Sequence, residues 1–247
     1  MNRDVVVLAD LAAVARAAAN RLVARARESI AGHGTFSVAL SGGSTPRALF
    51  DVLASDDYRD RIEWGRARVF WSDERCVPPD HPDSNYRLAH EALLSKVAIA
   101  PGNAHRLRGE IDPGQAALEY EQIVRREVAA PATGGAPAFD LILLGMGPDG
   151  HTASLFPGTV VLREDTRLVA ANFVPRLNAH RLTFTPPLIN AAASVTFMVA
   201  GSDKAETLRA VLEGEHQPDA LPAQIIRPAS GQLTWLVDRA AASQLRN

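Results

Sequence analysis

Short β-branched runs alternate with helical stretches along the whole chain, and most runs end in a turn rich in glycine or charge. DVVVLAD (4–10), TFSVALS (35–41), RARVFWSD (66–73), FDLILLG (139–145), HRLTFTP (180–186), SVTFMVA (194–200) and QLTWLVD (232–238) read as strands. Residues 11–30 are Ala-rich, with Leu11, Val14, Leu22 and Ile30 near one helical face, and Gly32 and Gly34 stop that helix. Further helices are expected from near Pro46, from a cap at Asp83 or Ser84 to about Val97, from Asp112-Pro113 to about 129, and from Gly201-Ser202-Asp203 to about 213. APATGGAPA (130–138) is a loop by composition, and a short helix separates the runs at 180–186 and 194–200.

Strands alternating with helices imply a three-layer α/β architecture, a mostly parallel central sheet with helices on both faces. After Asp140, the run FDLILLG is continuously apolar, as expected of a strand covered on both faces. In such sheets ligands bind beyond the carboxyl ends of the strands, so the informative residues belong directly after strands. No long repeat or linker divides the chain, and 1–247 reads as one domain. The formal charge is only −2, which argues against a nucleic-acid partner, whose binding rests on phosphate neutralisation. With 47% hydrophobic and 22% charged residues, global disorder is excluded. No apolar run approaches the roughly 18 residues of a membrane span, and MNRDVVVLAD lacks the features of a secretory signal. A single cysteine, Cys76, excludes an intrachain disulfide or a cysteine-built zinc site and reads as inert packing. The expectation is a soluble cytoplasmic protein.

VALSGGSTPRALF (38–50) runs from a strand through Ser41, Gly42, Gly43, Ser44 and Thr45 into a helix. Two glycines let the backbone approach a ligand closely. Thr45 suits the N-cap and Pro46 the first helical position. The free N–H groups of that helix start, with adjacent hydroxyls, form a ready anion site. No Gly-Lys-Ser/Thr follows, which counts against a Walker-type nucleotide loop; the plain alternative is an ordinary βα turn.

GMGPDG (145–150) matches the dinucleotide fingerprint by letter, and Asp165 follows about 20 residues on. Physics rejects the match: Pro157-Gly158 interrupts the chain before a crossover helix can form, and Asp149 would repel a pyrophosphate. The loop offers instead His151, two residues from Asp149, as a general base. Asp149, His151 and Ser154 are too crowded in sequence for a nucleophilic triad, and no Gly-x-Ser-x-Gly elbow is present.

VFWSDERCVPPDHPDSNYRL (69–88) places Asp73, Glu74 and Arg75 at a strand end. Alternation sends Asp73 and Arg75 to one side and Glu74 to the other. A carboxylate beside a guanidinium can recognise a polar substrate, although a surface ion pair is the weaker and commoner case. His81, Asp83 and Asn85 lie in the following loop, with Asp83 and Asn85 suited to fixing it and capping the next helix. Arg181 opens a later strand. Lys204 sits in the first turn of a helix, where a cation opposes the macrodipole and suggests a nearby anion, although taken alone it reads better as an ordinary surface lysine.

Taken together, SGGSTP (41–46), WSDERCVPPDHPDSNYRL (71–88), FDLILLGMGPDGHTASLFPG (139–158) and RLTFTPPLIN (181–190) resemble the 6-phosphogluconolactonases, in order and spacing, from about residue 4 to 238. The resemblance implies a Rossmann-like fold shared with the glucosamine-6-phosphate isomerases, and hydrolysis of a sugar-phosphate lactone in the oxidative pentose phosphate pathway. It implies no cofactor and no required metal; beside it stand the expectations of no nucleic-acid or membrane partner, from charge and composition, and of a monomer or small homo-oligomer. Carried over, it has Gly42, Gly43, Ser44 and Thr45 hold the substrate phosphate with Arg181 and Lys204. His151 becomes the base, with Asp149 beside it, and Asp73 and Arg75 line the lactone end. Either Asp73 or Asp149 orients the histidine or the water. The isomerases carry a Glu after the Gly-His turn; here the position is Phe156, which cannot do acid–base work. Two rivals remain, an aminosugar-phosphate isomerase with Asp73 as the base, and a non-catalytic sugar-phosphate sensor.

Overall fold

Parallel pairing dominates the computed structural model, which describes residues 3–131 and 134–246. The chain forms β1 (Arg3–Leu8), α1 (Leu11–His33), β2 (Phe36–Leu40), α2 (Ser44–Leu53), β3 (Ala67–Trp71), β4 (Asp73–Arg75), α3 (Asn85–Ala92) and α4 (Pro113–Glu127). It continues with β5 (Leu141–Leu144), β6 (Val169–Val174), β7 (Ala179–Phe184), α5 (Pro186–Asn190), β8 (Ser194–Val199), α6 (Ala205–Glu213) and β9 (Gln232–Asp238). Six strands make one sheet in the order β1-β9-β8-β5-β2-β3, with every pair parallel. The central strands β2, β5 and β8 are buried at every position, which explains their predominantly apolar sequences.

Helices cover the sheet on both faces. α1 and α2 pack on each other and reach β8 and β9. Alternation along β3 turns Phe70 away from Trp71. Phe70 meets Tyr120 of α4 and Phe139, with ring centroids 6.2 and 5.1 Å apart, while Trp71 meets Tyr86 of α3 at 5.3 Å. Tyr120 is fully buried; its hydroxyl accepts the Trp71 N–H and donates to the His105 carbonyl, tying α4 to β3. No helix among the described residues is long and apolar enough to cross a membrane.

Several expectations from the sequence need correction. The run 66–73 is not one strand reaching into DER. At Ser72 the chain changes sheets: its N–H donates to Leu40 in the main sheet, and its carbonyl accepts from Phe184 outside it. Beyond Ser72, β4 pairs antiparallel with β7, and β7 with β6, in a separate three-stranded sheet. The run 180–186 therefore lies outside the parallel sheet. β6 is absent from the strands expected above, because VAANFV mixes Ala and Asn, poor strand formers, into its apolar alternation. Thr45 is not the N-cap of α2: Gly43 is, and Pro46 falls at the third helical position, where its missing N–H still has no intrahelical acceptor. Ser84, rather than Asp83, caps α3 by accepting the Arg87 N–H, and α3 stops at Ala92 because Leu93 leaves helical geometry. α1 runs three residues past Ile30 to His33 before Gly34 caps it.

Candidate active site

A cavity of about 240 Å³ opens beyond the carboxyl ends of the central strands. That is room for one small metabolite and too little for a dinucleotide. Gly42, Gly43, Ser44, Thr45, Asp73, Arg75, His151 and Lys204 all line it. Eight residues singled out from four distant segments thus meet in one place.

The α2 start forms one wall. Gly43 provides no side-chain cap, so the first N–H groups of the helix stay open to a ligand. Lys204 forms part of the same lining. The anion expected near Lys204 is its neighbour Asp203, which pairs with the ammonium. Lys204 itself occupies the N-cap of α6, after a single 3-10 turn at Ser202–Lys204.

The opposite wall comes from β4. Asp73 and Arg75 face the cavity, and Glu74 points away, as strand alternation requires. Glu74 is buried and accepts backbone N–H groups from Arg75, Asn85 and Tyr86, each at 2.8 Å, and the Ser84 hydroxyl at 3.1 Å. It therefore caps α3 from a distant strand. Burial pushes its carboxyl above the usual range, and the three N–H bonds offset only part of that rise. Asp73 is fixed by buried donors: the Ser154 hydroxyl at 2.8 Å on Oδ2, and Asn85 Nδ2 at 3.3 Å on Oδ1 and 3.0 Å on the main-chain oxygen. Asn85 also lines the cavity. Arg75 donates to the Asp83 carbonyl at 2.5 Å.

The turn after β5 presents His151. Gly147 N–H donates to the His151 carbonyl and Gly150 N–H to the Gly147 carbonyl, so the loop folds back on itself. The imidazole lies so close over residue 147 that a Cβ there would sit 2.1 Å from Cε1 and Nδ1; only glycine fits. Asp149 Oδ1 lies 2.5 Å from Nδ1 and also accepts the His151 backbone N–H at 3.3 Å. A carboxylate at Nδ1 makes that nitrogen the donor and leaves Nε2 as the basic one. Burial raises the Asp149 carboxyl, but the hydrogen bond and charge of His151, its backbone N–H and the Arg176 guanidinium together bring it down to about 2. Phe156 stacks on the imidazole, with centroids 4.2 Å apart. No crossover helix follows Gly150; the chain passes through turns to a 3-10 segment at Val160–Arg163.

Two of the residues singled out from the sequence stand off the cavity wall. Asp149 touches it only through His151. Arg181 is not among the residues lining it, although the register sets it directly across from Arg75 on β4, on the same face of the small sheet. Burial and the Arg75 charge together weaken the Arg181 hold on its proton. Sequence reasoning also underrates three residues. Ser154 serves Asp73 rather than a triad. Asn85 joins Asp73 to the α2 turn. Arg176 pairs with Asp149 from a turn whose flanking strand β6 the sequence does not betray.

Fold and cavity define an α/β protein in which an open helix start and a histidine–aspartate pair share one metabolite-sized cleft. Residues 9–235 match the family described as glucosamine-6-phosphate isomerases/6-phosphogluconolactonase. A relative from Synechocystis named 6-phosphogluconolactonase is 45% identical over 223 residues, covering 90% of each chain. A relative of the same name from Nostoc is 40% identical over 246 residues, covering 99% of each. The solved 6-phosphogluconolactonase of Trypanosoma brucei aligns with a TM-score of 0.88 and 27% identity, over 99% of both chains. The chain belongs to the glucosamine-6-phosphate isomerase/6-phosphogluconolactonase family.

Proposed function

We propose that this protein hydrolyses 6-phospho-D-glucono-1,5-lactone to 6-phospho-D-gluconate, the second step of the oxidative pentose phosphate pathway. One observation carries the reading: His151 and the open N-terminus of α2 line a single cavity large enough for one sugar phosphate. The relatives named as lactonases support it. The same reading treats the whole chain as one catalytic domain, working in the cytoplasm as a monomer or small homo-oligomer.

In this mechanism the substrate phosphate sits on the N–H groups and hydroxyls of Ser44 and Thr45, with Lys204 as counter-charge. Nε2 of His151 takes a proton from a water molecule as its oxygen attacks the lactone carbonyl. Arg75 or N–H groups of the Gly145–Gly150 turn stabilise the oxyanion, each donor contributing about 10²–10³ in rate. When the bond from the carbonyl carbon to the ring oxygen breaks, the imidazolium returns its proton to that oxygen. The carboxylic acid formed then ionises and releases one proton to solvent. Asp149 holds the ring tautomer, and it contacts the imidazole as Asp73 does not. A δ-lactone is an activated ester, so no covalent nucleophile is required.

Proton release from freshly made lactone, measured against the spontaneous rate, tests the proposal. We expect saturable turnover, and no ammonia from glucosamine 6-phosphate; ammonia without lactone turnover would hand the site to the isomerase reading. Binding of 6-phosphogluconate with neither activity would make it a sensor. Against isomerisation stands Phe156, a buried apolar side chain against the histidine where a second acid would have to act.

Lys204 and Arg181 separate cleanly in a KM measurement. Lys204→Ala should raise KM about 10- to 100-fold, the worth of a charge-assisted hydrogen bond to phosphate, with kcat little changed. Arg181→Ala, off the cavity wall, should raise it less than about 3-fold, well below the worth of such a bond. The reverse order would return the phosphate to the Arg75–Arg181 side of the cleft.

A further inference from the structure

Arg176 lies in the turn Pro175–Leu177 between β6 and β7. One guanidinium nitrogen is 2.5 Å from Asp149 Oδ2, and the guanidinium carbon is 4.8 Å from the centre of the Phe156 ring. The imidazole of His151 stacks on that same ring and binds the other Asp149 oxygen. Asp149 is therefore hydrogen-bonded through one oxygen and ion-paired through the other: Oδ2 is buried, accepts no hydrogen bond among the described residues, and has the Arg176 guanidinium as its charged neighbour. Arg176 itself is half exposed and stands outside the cavity lining.

We propose that Arg176 is a positioning residue for His151, acting through Asp149: it locks the carboxylate that orients the imidazole and places a cation behind it. This rests on the lactonase reading of the same site. Without Arg176, Asp149 gains rotational freedom and the imidazole is aimed less well. The charge acts in a definite direction too. A nearby cation disfavours the imidazolium, and a bare Asp149 favours it. Removing Arg176 therefore stabilises the protonated ring, and a general base must be unprotonated to act. The other charges that share the cleft with His151 are Asp73 and Arg75 on β4 and Lys204 before α6. Helix α6 meets the loop through Thr207, whose hydroxyl donates to the Pro148 carbonyl, and Leu221 packs on Gly150. None of these changes when Arg176 is replaced.

The test compares wild type, Arg176→Ala and Arg176→Lys by the pH profile of kcat and by NMR titration of the His151 ring. In Arg176→Ala we expect the acid limb to move up by about 0.5–1 pH unit, as expected for loss of one unit charge near the ring. The plateau kcat should fall about 3- to 10-fold from poorer aim, with KM changed less than about 2-fold. Arg176→Lys keeps the charge and should hold the limb in place. A limb that stays put in Arg176→Ala, or a Lys variant indistinguishable from the Ala variant, overturns the inference. A wild type inert towards lactone would sink the functional reading instead. The ring titration still decides the role of Arg176 in that case: a midpoint unmoved by Arg176→Ala refutes it, and a raised one sustains it.

Discussion

His151→Ala should lower kcat by about 10²–10⁴, the usual worth of a positioned acid–base group, and leave KM within about 3-fold. Two features of the site set this expectation. First, no other group in the cleft stands ready to take over: the carboxylate of Asp73 is already engaged by Ser154 and Asn85. Second, the phosphate contacts assigned to the α2 turn do not involve the imidazole, so binding survives its loss. Residual turnover should remain, because orientation by the turn still brings an activated ester into a polar cleft. The measurement is the initial rate of proton release in mildly acidic buffer, where spontaneous opening of the lactone is slow. A kcat equal to wild type would remove His151 from the chemistry.

The pH dependence of the wild type follows from the same pair. Asp149 is held down to about 2, below its unfolded value of about 3.9. A carboxyl depressed in the folded state lends stability above its unfolded pKa, and that contribution fades as the pH falls towards 2. Asp149 is thus anionic wherever the enzyme is assayed, and its titration does not shape the activity profile.

Gly42→Ala should be nearly as damaging, by a different route. A Cβ at residue 42 would lie 1.8 Å from Asn85 Oδ1 and 2.4 Å from its Cγ. Asn85 cannot simply swing aside: it is 2% exposed, its amide holds Asp73, and its backbone N–H is tied to Glu74. Either Asn85 moves and Asp73 comes loose, or the turn moves and the open N–H groups of α2 lose their aim. Overpacking of this kind costs about 1–3 kcal/mol in stability. Both outcomes damage turnover, since a displacement near 1 Å at a catalytic site costs about 10²-fold. We expect kcat/KM to fall at least 10-fold, with KM rising, and the urea midpoint to drop. A Gly42→Ala enzyme with wild-type kcat/KM would show that the turn is not where substrate binds.

Much of this site can be read one segment at a time. The Gly-Gly turn at 42–43 declares itself because a strand, two glycines and a proline-started helix are adjacent in the chain. The Asp149–His151 pair is visible because a single residue, Gly150, separates its members. The split of Asp73 and Arg75 from Glu74 follows from the two-residue period of any strand. Rejection of the dinucleotide match rests on Pro157-Gly158, again a local signal, and the chain there indeed forms no helix.

The misread end of β3 has a cause remote in the chain. Nothing near Ser72 announces that the chain leaves one sheet for another; the change depends on Leu40 and Phe184, both remote in sequence. The same unseen second sheet sets Arg181, which the family resemblance assigns to the phosphate, directly across from Arg75. The Ala and Asn residues of β6 hide that strand, and with it the turn that delivers Arg176 to Asp149.

Read alone, the order of residues determined the parallel α/β plan, the anion-ready turn at 41–46, and the histidine with its neighbouring carboxylate. Each of these is set by sterics and hydrogen bonds between residues a few positions apart. Tertiary structure alone decided which carboxylate touches the imidazole, that Ser154 serves Asp73 across 81 residues, and that Arg176 closes the pair from behind. Those contacts arise when separately folded segments pack, and packing depends on the shape of the whole core rather than on any stretch of chain.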